Sequence, residues 1–147
     1  MFRVLSSFKG LPKEITGEFK ELQIDEKGEL TREELLGIVN EYDRIIAGFM
    51  IQYDYEIFSK AKKLKVITRF GIGVENVNIS DAEKCNVKVT NVPGVSAESV
   101  AEHTLCLMLA ASRNLATLDR KIKANEWPRA EGFGHELANK TLGQIGF

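Results

Sequence analysis

The feature that most constrains this chain is a succession of short apolar runs, near-continuous rather than alternating, with helical patterns between them. FRVL (Phe2 to Leu5), FKELQI (Phe19 to Ile24), RIIAGF (Arg44 to Phe49), LKVIT (Leu64 to Thr68) and VKVTNV (Val87 to Val92) carry it. A strand that is apolar on both faces needs helices on both sides, so these runs predict the strands of a buried sheet. Helix start signals fall between them. T-R-E-E (Thr31 to Glu34) and S-D-A-E (Ser80 to Glu83) fit the capping box, and Asp54 suits the N-cap of DYEIFSKAKK. Strand and helix alternating at this pace predict an α/β fold with a doubly wound, mostly parallel sheet. Ligands of such sheets gather beyond the carboxyl ends of the strands, where GFMIQ, RFGIGVEN and NVPGVS all fall.

RFGIGVEN, Arg69 to Asn76, looks at first like a phosphate cradle. The dinucleotide fingerprint needs three glycines, one each for the turn, the approach to pyrophosphate and helix-on-strand packing. Gly71 and Gly73 fill the first two places, but Asn76 fills the third. A side chain there holds a helix off the strand, which argues against pyrophosphate. Two glycines one residue apart after a strand also let N–H groups converge on a small carboxylate. A glycine turn without a ligand is the plainer reading, and the local sequence leaves both open.

Beyond Pro93-Gly94 the pattern changes. SAESVAEHTLCLMLAASRN (Ser96 to Asn114) reads as a helix that is apolar almost all round in its second half, which calls for burial against another domain or a partner. A second helix is expected around LATLDRKIKANEW, and a fresh strand from Thr141 to Gly146. With 20 basic and 21 acidic side chains the net charge is −1, and no like-charge block suggests a nucleic-acid or membrane-surface partner. Cys85 and Cys106 lack metal-ligand spacing, so no metal is expected, and free thiols suit a reducing cytoplasm. The N-terminus is too polar for a signal peptide, and no apolar run is long enough to span a bilayer.

Together LKVITRFGIGVENVN, VKVTNVPGVSAESVAEHTLCLMLAASRN and GHELANKTLGQIG resemble the D-isomer-specific 2-hydroxyacid dehydrogenases, the superfamily of phosphoglycerate dehydrogenase and glyoxylate reductase. The resemblance implies a flavodoxin-like substrate lobe over residues 1 to 95. Residues 96 to 147 would then hold crossing helices and the first strand of a Rossmann domain, truncated at the first fingerprint glycine, Gly146. It implies that N–H groups around Ile72 and Gly73 hold the substrate carboxylate, with Gly71, Arg69 and Phe49 in the same site. Ile72, Val100 and Gly146 would meet the cofactor.

The implied activity is NAD(P)-dependent interconversion of a small D-2-hydroxy acid and its 2-oxo acid. The family's catalytic arginine, glutamate and histidine lie C-terminal to the fingerprint, and neither His103 nor His135 falls on that motif. The chain alone is therefore expected to lack catalytic residues, activity and bound NAD or NADP, and to form a homodimer through residues 98 to 112. Two departures bear on the substrate and on local capping: Gly48 stands where phosphoglycerate-specific members tend to carry an arginine, and Glu75 and Asn78 replace aspartates. A non-enzymatic small-acid-binding module, or an NAD-sensing co-repressor-like one, is the competing reading, which the reading frame after Phe147 would decide. A response-regulator receiver is disfavoured, because Ser6-Ser7 and Gly48 stand where acidic residues are required.

Overall fold

The computed structural model describes residues 1–19 and 21–145. The chain divides into two compact units, Met1–Val95 and Ser96–Phe147. In the first, strands β1 (Phe2–Ser6), β2 (Leu22–Glu26), β3 (Arg44–Ala47), β4 (Val66–Arg69) and β5 (Lys88–Thr90) form one sheet in the order β2-β1-β3-β4-β5. Every pairing is parallel, so the expected α/β architecture is present and all strand ends of one kind lie on one edge. Helices α1 (Lys13–Glu18), α2 (Arg32–Ile38), α3 (Tyr55–Lys60) and α4 (Ile79–Lys84) connect the strands, with a short 3-10 turn at Val39–Glu41.

The core is the predicted apolar set. Leu5, Ile45 and Ile67 from the three central strands are fully buried against Leu35, Val39, Ile57 and Phe58 from the helical layer. β1 is buried on both faces over Val4–Ser6, whereas β3 and β4 are buried on one face and half-buried on the other, which still leaves little polar surface in these runs. The second run is displaced: β2 covers Leu22–Glu26 and not the segment from Phe19. As an edge strand it is only partly buried, so polarity constrains its limits weakly.

Caps fix the helix starts. Thr31 forms the full capping box with Glu34, and the Asp54 side chain accepts from the Ile57 N–H, both as expected. The expectation at Ser80 is corrected, because α4 begins two residues earlier and Asn78 is its N-cap, accepting from the Asp81 N–H. Asx and hydroxyl side chains compete for such positions, and Asn78 is the one that follows the extended segment.

In the second unit, α5 (Ala97–Ser112) and α6 (Leu115–Lys123) form where helices were predicted. None of the α5 residues is buried within this chain, and Leu105, Leu107 and Leu109 are more than half exposed, so the cover expected from another domain or a partner is not supplied by the described residues. The expected strand from Thr141 is corrected over Thr141–Ile145, which has no regular structure. A strand needs a ladder partner, and none pairs with this segment among the described residues. The Gly146 end of that expectation lies outside the described residues.

Candidate substrate site

The sheet order reverses between β1 and β3, and in open parallel sheets that reversal opens a crevice beyond the carboxyl ends. The residues leaving β1 and β3 are tied together there. Ser7 Oγ accepts from the Gly48 N–H at 2.9 Å and from the Tyr53 hydroxyl at 3.1 Å, and donates to the Ile46 carbonyl at 3.4 Å. One donor and two acceptor sites exhaust what a hydroxyl offers, so this buried knot is fully satisfied. Burial pushes the Tyr53 phenol above its ordinary value, which keeps it a neutral donor.

The exit of β3 is tied to the exit of β4 by Asn76, which is only 6% exposed. Its carboxamide nitrogen donates to Gly48 O at 3.0 Å and to Ile51 O at 2.8 Å. The residue that breaks the dinucleotide fingerprint is thus a clamp between two loops. No helix follows the glycines either, because α4 starts only at Ile79. Gly71–Asn76 therefore lacks the helix N-terminus that seats pyrophosphate in the dinucleotide fingerprint.

Two hydrogen bonds shape the loop after β4. Gly71 O accepts from the Val92 N–H at 3.0 Å, and Ile72 O accepts from Asn91 Nδ2 at 2.6 Å. No acceptor among the described residues meets the N–H of Ile72 or of Gly73. Two adjacent amide donors left open at a strand end are a ready anion seat. Glycine is required at 71: its φ is +156°, and a Cβ there would lie 2.5 Å from Arg69 Nη1.

That close approach also places the Arg69 guanidinium against the loop. Arg69 is half-buried, donates through Nη1 to the Phe70 carbonyl and makes no ion pair among the described residues. Its Nε is buried without a partner. Opposing this cation, the exposed Glu75 side chain lies against Gly73. The rim is apolar: Phe8 and Phe70 stack with centroids 4.7 Å apart, bridging the exits of β1 and β4, while Ile72 and Phe49 are exposed.

Gly71, Ile72 and Gly73 thus lie on one loop, Arg69 ends the strand that leads into it, and Phe49 lies on the neighbouring β3 exit. Val100 sits in α5 of the second unit and is exposed. Gly146 lies outside the described residues. His103 and His135 are both exposed. Sequence reasoning missed Tyr53, gave Ser7 and Asn91 no role in shaping the site, and saw Asn76 only as an obstacle. Polar residues flanking strand ends were the available signal, but their partners are distant in sequence.

A model of the D-isomer specific 2-hydroxyacid dehydrogenase catalytic domain matches residues 4–143. The chain is 40% identical over 125 residues to a D-3-phosphoglycerate dehydrogenase of Archaeoglobus fulgidus, covering 85% of this chain and 24% of the relative. It is 39% identical over 118 residues to a hydroxypyruvate reductase of Thermotoga maritima, covering 80% and 39%. A crystal structure of a Thermus thermophilus protein superposes with a TM-score of 0.78 at 30% identity, covering 85% of this chain and 41% of that one. The chain therefore spans well under half the length of these relatives. It belongs to the D-isomer specific 2-hydroxyacid dehydrogenase family.

Proposed function

We propose that Met1–Val95 is the substrate lobe of an NAD(P)-dependent D-2-hydroxyacid dehydrogenase, and that the Ile72 and Gly73 N–H groups hold the carboxylate of a small 2-oxo acid. The observation that carries this reading is the pair of adjacent open amides beyond β4, flanked by Arg69. Hydrogen bonds to an ionised acceptor are stronger than neutral ones, so two amides and a nearby cation suffice to orient a small acid. Phe49 and Ile72 supply an apolar wall to the same mouth.

The relatives include enzymes named for phosphoglycerate and for hydroxypyruvate. The β3 exit, Gly48-Phe49-Met50, offers no second cation, which favours an unphosphorylated acid over a phosphorylated one. The nicotinamide cofactor, when bound, supplies or accepts the hydride. This chain's contribution is to fix the acid, with Ile72 and Val100 as the cofactor-facing positions and Gly146 as the start of the pyrophosphate seat. The 147 residues alone are inferred to lack turnover, because the arginine, glutamate and histidine that the family uses are expected beyond Gly146. A homodimer through residues 98 to 112 is supported by the exposed leucines of α5.

Calorimetric titration of oxamate, a stable 2-oxo acid isostere, against its uncharged methyl ester tests the reading. Binding of oxamate without the ester is the expected result. Equal binding of both, or of neither, contradicts a carboxylate seat.

A further inference from the structure

The two open N–H groups are aimed by the β5 exit, and one side chain does half of the aiming. In a trans peptide the N–H points opposite to the carbonyl of the same unit, and the described chain has no cis bonds. The unit joining Gly71 and Ile72 has its carbonyl fastened to the Val92 N–H, and the unit joining Ile72 and Gly73 has its carbonyl fastened to Asn91 Nδ2. Both carbonyls therefore face the segment after β5, and both N–H groups face away from it. A peptide unit without such a tether has more orientations open to it, more so beside glycine. The two tethers hold the successive amides facing the same way.

We infer that Asn91 is a positioning residue for anion binding: its carboxamide holds the Ile72 carbonyl and thereby presents the Gly73 N–H to the substrate carboxylate. Asn91 itself is exposed and points its donor at the backbone rather than at the ligand. This rests on the reading of Ile72 and Gly73 as the carboxylate seat. It makes a distinction that a general loop-stiffening role would not. Asn91 governs the Gly73 amide, whereas a backbone bond to Val92 governs the Ile72 amide.

Asn91→Ala in the 147-residue chain separates the possibilities, with oxamate as the probe. The expected result is an oxamate affinity about tenfold weaker, the loss of one charge-assisted hydrogen bond. The thermal midpoint without ligand should stay unchanged, and in the amide NMR spectrum the Gly73 resonance should move while that of Ile72 stays. A variant that binds oxamate as tightly as the parent overturns the role of Asn91 and leaves the seat intact. Weaker binding with a lowered midpoint and both amides displaced overturns it too, as a structural effect. Failure of the parent chain to bind oxamate overturns both the seat and the inference.

Discussion

Asn76 illustrates how a single buried carboxamide links two loops. Both of its N–H donors are satisfied by carbonyls of the β3 exit, and Asn76→Ala would leave those carbonyls without partners in a buried setting. The expected cost is about 2 kcal/mol of folding stability, read from urea unfolding; a change near zero would mean that water replaces the amide. Glu75 acts in the opposite sense on the proposed seat. Its carboxylate lies beside Gly73, so Glu75→Gln should tighten oxamate binding roughly twofold to fivefold, with the gain vanishing at high salt. At the other edge of the sheet, the Arg3 guanidinium, 2.7 Å away, holds the Asp25 carboxyl below its ordinary value, aided by the Tyr42 hydroxyl at 3.0 Å. A depressed carboxyl contributes stability above its unfolded value, about 3.9, and that contribution is lost as pH falls through the lower folded value. Urea midpoints should therefore decline below about pH 4, and less steeply in Asp25→Asn. Identical slopes would show that the pair is inert.

At the scale of elements, caps give the most discriminating test. Asn78→Ala should cost about 1 kcal/mol because α4 loses its N-cap, whereas Ser80→Ala, inside the helix, should be nearly silent. The reverse ranking would restore the Ser80 start. The same pair shows what the sequence makes legible. Strand positions could be read because one buried and one half-buried face write a mostly apolar run, as in RIIA and VITR. Thr31 could be read because its capping box is local, three residues wide. Asn78 and Ser80 compete within the same few residues, and only the extended backbone at 78 decides between them. The site was legible to the extent that glycines announce it: Gly71 and Gly73 marked the loop. The partners that shape it, Asn91 on Ile72 and Asn76 on Gly48, join residues 19 and 28 positions apart, a separation no local pattern encodes. What covers α5 was illegible for a related reason. Apolarity all round predicts burial, but nothing in a helix's own sequence says what covers it.

At the scale of the whole molecule, the exposed leucines of α5 bear on assembly. Leu105 and Leu109 stand four residues apart on one helical stripe, and clustered apolar surface of this kind marks interaction sites. Sedimentation velocity should show a dimer that the double variant Leu105→Glu, Leu109→Glu converts to monomer. A parent chain that stays monomeric as its concentration is raised would refute self-association through this helix. The account as a whole depends on the amides beyond β4 being the seat of an organic acid. The most direct measurement is an amide NMR titration of the isotopically labelled chain with oxamate. The account predicts the largest displacements at Ile72 and Gly73, with smaller ones at Arg69 and Phe49. Displacements centred elsewhere, or none at saturating oxamate, would contradict it.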